Sequence, residues 1–168
     1  MSPMHILLVE DDAVIREATQ LALERDGFQV TVAEDGITGL SRYREQAPDV
    51  ALLDLMLPGM NGVSLCRQIR EEGSTPVIMM SARADPIDVV LGLEAGADDY
   101  VTKPFDSTVL VARIRAVVRR MNRAEASSGD QPLRFGDLEV HRNGLEVRVA
   151  GRTVELTPTE LRLLLCFV

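Results

Sequence analysis

DVALLDLMLPGMNG, Asp49–Gly62, places the apolar run Val50–Leu53 directly ahead of one carboxylate, Asp54, and then a Pro-Gly turn. An uninterrupted apolar run bounded by turn signals reads as a strand buried on both faces. Ending such a strand on an unpaired carboxylate costs on the order of several kcal/mol. Two readings fit. Either Asp54 caps the turn that follows it, or other parts of the chain bring compensating groups to the same place.

Working outward, short apolar runs alternate with segments of helical period. HILLV (His5–Val9), QVTVA (Gln29–Ala33), PVIMM (Pro76–Met80) and YVT (Tyr100–Thr102) read as further strands. Ala13–Gly27 reads as a helix with Val14, Ala18, Leu21 and Ala22 on its apolar face, stopping at Gly27. Gly36–Gln46 is a second helix. Gly62–Gly73 is a third, with Val63, Cys66 and Ile69 inward. Pro86–Gly96 opens on a proline, and Ser107–Asn122 is the longest. Five β-α units with wholly apolar strands predict an α/β fold, a doubly wound five-stranded parallel sheet covered on both faces. In such sheets ligands sit at the carboxyl ends of the strands, where strand order reverses.

Composition sets the outer bounds. The chain has 168 residues, 46% of them hydrophobic, enough for one domain and a smaller second piece. Aromatics are only 4% and Trp is absent, so the core is aliphatic. A net charge of −8 argues against binding nucleic acid or an anionic membrane surface as the chain stands. Cys66 and Cys166 lack metal-ligand spacing and read as buried thiols of a cytoplasmic protein. MSPMHILLVEDD lacks the basic flank of a signal peptide, and no apolar run reaches the ~20 residues of a membrane span. Lys103 is the one lysine beside 17 arginines. A chain so biased toward Arg keeps a Lys by chance or because a compact ammonium is needed.

After the long helix the pattern changes. Residues 123–132 (RAEASSGDQP) are small, polar and broken by Gly and Pro, as a linker is. Leu133–Leu156 alternates apolar and polar residues, with turns at Asn143-Gly144 and Ala150-Gly151, and reads as an antiparallel meander. Thr157, Pro158 and Glu160 then open a helix with a capping box.

Several groups fall at the carboxyl ends of the strands. Glu10, Asp11 and Asp12 follow the first, Asp54 ends the third, Ser81 follows the fourth, and Lys103-Pro104 follows the fifth. Glu34 and Asp35, after the second, belong to an edge strand away from the switch point. Clustered carboxylates repel each other unless a cation intervenes. A hard divalent ion fits them, Mg²⁺ (or Mn²⁺), which takes one or two carboxylates, keeps waters and awaits a phosphate. A carboxylate nucleophile, a dication, a lysine and a hydroxyl together suit phosphoryl transfer onto Asp54.

LLVEDD, LLDLMLPGMNG, MMSARAD and GADDYVTKPF, in that order, resemble the receiver domain of bacterial two-component response regulators over roughly Met4–Arg120. The resemblance implies strand order 2-1-3-4-5 and a phosphoprotein rather than an enzyme in the usual sense, with self-catalysed phosphotransfer and autodephosphorylation. It implies Asp54 as phospho-acceptor. Asp11, Asp54 and the Met56 backbone carbonyl would hold the metal, with Glu10 acting through water. Asp12 would cap the first helix. Ser81 and Lys103 would hold the phosphoryl group. Ser81 and Tyr100 would switch, and the Lys103–Pro104 peptide would be cis. Met56 and Arg83 would tune hydrolysis of the acyl phosphate.

Leu133–Val168 resembles the N-terminal sheet and first helix of the winged-helix effector of OmpR/PhoB-type regulators, without recognition helix or wing. The domains implied are a receiver over 1–122, a linker over 123–132 and a partial DNA-binding domain over 133–168. Residues 124–168 carry a net charge of −2, so the basic face DNA requires is not here. The implied partners are a sensor histidine kinase, a second copy on phosphorylation, and promoter DNA for a complete effector, with no membrane. The dimer face would include Val89, Leu93, Asp98, Asp99, Val109, Arg113 and Arg120. Val89 and Val109 stand where such regulators often place an opposite-charge pair, so an apolar contact replaces it.

Three other readings meet the same residues. A phosphatase of the haloacid-dehalogenase type needs a second acid two residues after the nucleophile, where this chain has Met56. A flavodoxin-like cofactor site would be repelled by Glu10, Asp11 and Asp12. A phosphorylation-controlled dimerisation module without DNA output remains open.

Overall fold

The computed structural model describes residues 2–82, 85–126, 133–135, 138–141 and 146–154. Arg83, the Asn143-Gly144 turn, Cys166 and the helix expected from Thr157 lie outside the described residues. The chain divides into two compact units, Met1–Arg120 and Met121–Val168.

From His5 to Ala126, β1 (His5–Val9), β2 (Gln29–Ala33), β3 (Val50–Asp54), β4 (Val77–Ser81) and β5 (Asp99–Thr102) alternate with α1 (Ala13–Arg25), α2 (Gly36–Gln46), α3 (Gly62–Glu72), α4 (Pro86–Glu94) and α5 (Ser107–Ala126). The strands form one parallel sheet in the order β2-β1-β3-β4-β5. The chain leaves β1 outward to β2, then returns to pair β3 with β1. That reversal opens the crevice at the carboxyl ends of β1 and β3.

Side-chain alternation along the strands feeds two cores. Leu7, Val9, Ala51, Leu53, Val77 and Met79 pack on one face with α2 and α3 residues such as Leu40, Leu65 and Ile69. Ile6, Leu8, Val50, Leu52, Ile78 and Met80 pack on the other with Leu23 of α1 and Leu110, Ile114 and Val117 of α5. Burial on both faces is why β1, β3 and β4 are almost wholly apolar.

Two sequence expectations need correction. Most of the α1 face expected to be buried is exposed: Val14 and Leu21 are 77% and 56% accessible and Ala18 is open too, while Ala22 is half-buried. Thr19 and Leu23 are the buried residues instead. Helix α5 also runs on to Ala126, into the segment read as linker, because Arg123, Ala124, Glu125 and Ala126 all favour helix.

The second unit holds β6 (Leu133–Phe135), β7 (Leu138–His141), β8 (Glu146–Val149) and β9 (Arg152–Val154), an antiparallel sheet in sequential order. The β8–β9 turn is Ala150-Gly151, both at positive φ, as a tight hairpin requires.

Candidate functional site

β3 delivers Asp54 to its carboxyl end, where the residue is 5% exposed. The chain then turns tightly into α3, whose first residue is Gly62. A Cβ on Gly62 would stand 2.2 Å from the Asp54 carbonyl oxygen, so only glycine permits this approach. Asp54 resolves the question its sequence raised by doing both things. Its Oδ1 accepts the Met56 N–H at 3.1 Å and fastens the turn. Its Oδ2 accepts from Lys103 Nζ at 2.8 Å.

Lys103 reaches the site from the end of β5. Its N–H donates to the Ser81 carbonyl at 2.7 Å, and the Lys103–Pro104 peptide is cis. Its ammonium also donates to Glu10 Oε2, so one cation spans two carboxylates. Glu10 is buried, and its Oε1 accepts the Asp12 N–H at 3.1 Å. Oxygens of Glu10, Asp11 and Asp54 all lie within 4.8 Å of one another, with Asp11 exposed at the mouth. Burial pushes the Glu10 carboxyl up to about 7; the Lys103 hydrogen bond opposes this and the Asp54 charge adds to it. Burial would lower Lys103, but hydrogen bonds to Asp54 and Glu10 outweigh it and raise its pKa.

Ser81 ends β4 opposite Thr102 and is 1% exposed. Tyr100, partly buried, lies with its ring toward Gly92 of α4, where a Cβ would contact Tyr100 Cδ2 at 3.4 Å. Asp12 caps α1, its Oδ1 accepting the Ile15 N–H at 3.0 Å. Asp35, away from the crevice, caps α2; the hydrogen bond from the Thr38 N–H holds its pKa below the usual carboxylate range. The site thus joins Glu10, Asp11, Asp54, Ser81 and Lys103, and leaves Met56 with its side chain 56% exposed.

The residues expected at a dimer face divide. Leu93, Val109 and Arg120 are exposed and Val89 is half-buried. Asp99 pairs with Arg113 of its own chain at 3.0 Å. Asp98 pairs with Arg70 of α3 and accepts the Val77 N–H at 2.8 Å.

Sequence reasoning missed three contributors. Gly62 is one. Gly36, at the start of α2, is another: a Cβ there would stand 2.0 Å from the Met60 carbonyl oxygen. The third is Arg16, whose Nη1 donates to the Glu10 and Asp11 carbonyls at 2.8 and 3.3 Å. Spacing alone gives no signal for the glycines. Arg16 stands four residues after Asp12, one helical turn on, which was a usable hint.

Three acids and a single lysine gathered at the β1/β3 crevice of a 2-1-3-4-5 sheet define a receiver. The pattern of the response regulator receiver domain matches residues 6–115, and the chain belongs to that family, the receivers of two-component response regulators. It is 66% identical to the transcriptional regulatory protein CseB of Streptomyces coelicolor, over 97% of this chain and 74% of that one. It is 46% identical to the DNA-binding response regulator MtrA of Mycolicibacterium smegmatis, over 95% of this chain and 68% of that one. The response regulator DrrB of Thermotoga maritima, an OmpR/PhoB homologue, superposes with a TM-score of 0.65 at 33% identity, over 98% of this chain and 71% of that one. No described helix is long and apolar enough to cross a membrane.

Proposed function

We propose that Asp54 accepts a phosphoryl group from the phosphohistidine of a sensor histidine kinase. One observation supports this reading: Lys103 bridges buried Asp54 and Glu10 beside Asp11, so three carboxylates and a cation converge at one point. An Asp54 carboxylate oxygen attacks phosphorus, the P–N bond breaks, a P–O bond forms, and the histidine keeps the bonding electron pair. The product is an acyl phosphate. The cluster suits Mg²⁺ or Mn²⁺, because three hard oxygen donors lie within 4.8 Å of one another and Lys103 pairs with only two of them. Asp11, Asp54 and the Met56 carbonyl would hold the ion, with Glu10 acting through a water. Once bound, it supplies positive charge against the negative charge of the transferring group.

Lys103 stays on the phosphoryl oxygens once Asp54 is esterified, and the Ser81 hydroxyl donates to another. Ser81 and Tyr100 carry the change to α4, β5 and α5, where a second copy docks. Leu133–Val168 is the N-terminal part of a winged-helix effector, joined through the segment after α5. The antiparallel β6–β9 sheet and the DNA-binding relatives support this assignment. A complete effector of this kind would bind promoter DNA and regulate transcription.

The test is mass measurement after incubation with a small-molecule phospho-donor and Mg²⁺. Wild type gains one phosphoryl group and Asp54→Asn gains none. Uptake by both proteins, or by neither, overturns the assignment.

A further inference from the structure

The β1–α1 loop that carries Glu10 and Asp11 is fastened through three of its backbone groups. The Glu10 N–H donates to the Ala33 carbonyl at 3.0 Å, the Asp12 N–H donates to Glu10 Oε1, and the Asp12 carbonyl accepts the Arg16 N–H at 2.9 Å. The Glu10 and Asp11 carbonyls point where α1 begins, and both accept from the Arg16 guanidinium. Helical side chains lean toward the N-terminus, so a residue one turn into α1 is well placed to reach back over the loop.

The placement runs against simple electrostatics. A cation in the first turns of a helix opposes the helix dipole, and a fixed positive charge beside a dication site opposes the dication. A half-buried arginine held there, with its nitrogen on the carbonyls of both acids, is there for geometry. We infer that Arg16 is a positioning residue. It sets the backbone of Glu10 and Asp11 so that the Asp11 carboxylate faces Asp54 before any metal arrives. This rests on the metal-binding reading above, and it adds a residue that touches neither metal nor phosphate.

The two effects of Arg16 have opposite signs, which makes the inference decidable. If only its charge mattered, removing it would tighten Mg²⁺ binding. If it holds the loop, removal weakens binding, by about tenfold for a partner that orients ligands from behind. One nitrogen serves both carbonyls, so the arginine fork is not required and a lysine ammonium can stand in.

The experiment is calorimetric Mg²⁺ titration of the unphosphorylated protein at fixed pH and ionic strength, for wild type, Arg16→Met and Arg16→Lys. Amide hydrogen exchange at Glu10 and Asp12, both hydrogen-bonded, is followed without metal. Arg16→Met should bind Mg²⁺ about tenfold more weakly and exchange faster at those amides, while Arg16→Lys stays near wild type on both measures. Arg16→Met binding as tightly as wild type or tighter overturns the inference, as does unchanged exchange. So does an Arg16→Lys that behaves like Arg16→Met. Wild type that takes up no Mg²⁺ overturns instead the metal reading beneath it.

Discussion

Glu10 feels opposing pulls on its proton: burial and Asp54 favour the neutral form, Lys103 the charged one. Burial wins, and the carboxyl rises from 4.5 to about 7. An acid raised on folding takes up a proton as the chain folds, so its contribution to stability is fully present below the unfolded value and lost as pH rises through the folded one. The metal-free protein should therefore lose stability, on the order of 2 kcal/mol, between about pH 5 and pH 7.5, and Glu10→Gln should flatten that slope. Urea denaturation across this range in the presence of a chelator measures it; a wild-type slope equal to that of Glu10→Gln would refute it. The glycines allow a second test. A methyl at Gly36 or Gly62 would meet a backbone carbonyl oxygen, which cannot swing aside as a side chain can. Gly62→Ala should cost about 3 kcal/mol, whereas Gly92→Ala, whose Cβ meets only side chains at 3.4 Å, should fall within about 1 kcal/mol of wild type. Thermal melts of both variants decide. The acids, Ser81 and Lys103 were legible in sequence because each ends a recognisable strand. The glycines were not, and Arg16 only through its spacing one turn after Asp12, because their importance lies in a contact with backbone that only the folded chain creates.

At the scale of elements, hydrophobic period located the helices but did not always orient them. Helix α1 carries apolar residues at Val14, Ala18, Leu21 and Ala22 and also at Ile15 and Leu23, sets that face different directions around the helix. Period alone weighs them equally; packing against the sheet chose the set that includes Leu23 and carried Thr19 in with it. The strands were easier, since burial on both faces leaves no orientation to choose. Helix α3 shows how magnitude sorts its ion pairs. Its Glu72 meets Arg44 of α2 in an exposed pair, while Arg70 donates to the Gly96 carbonyl at 2.7 Å and pairs with half-buried Asp98. Together with Cys66 Sγ, which donates to the Ala95 carbonyl at 3.6 Å, Arg70 closes the carbonyl end of α4. Arg70→Ala should cost about 1–3 kcal/mol because it leaves a carbonyl and a carboxylate without their cation. Arg44→Ala should change stability by less than about 1 kcal/mol. Equal destabilisation of the two variants in urea would show that the inner pair contributes no more than the surface pair.

At the scale of the whole molecule, the proposed pairing of two phosphorylated receivers has to overcome a charge of −8 on each chain. Coulomb repulsion between copies opposes association and weakens as salt screens it. The proposed face offers little ionic attraction to offset this. Asp98 is bound to Arg70, Asp99 to Arg113 of the same chain, and valines occupy positions 89 and 109. Beside the exposed Arg120 and the paired Arg113, the face exposes apolar surface, with Ile87, Val90, Leu91, Leu93 and Val109 each between 41% and 68% accessible. Burying that surface is insensitive to screening. The dimer of the phosphorylated protein should therefore hold its affinity, or tighten slightly, as salt rises from about 50 to 500 mM. Sedimentation equilibrium across that range measures the constant directly. A contact built on ion pairs between copies would instead lose affinity steeply, and that result would refute the apolar reading. Leu93→Asp separates the face from the phosphorylation step. It places a charge where the apolar contact is proposed and should weaken dimerisation at least about tenfold, while phosphoryl uptake at Asp54 continues at the wild-type level.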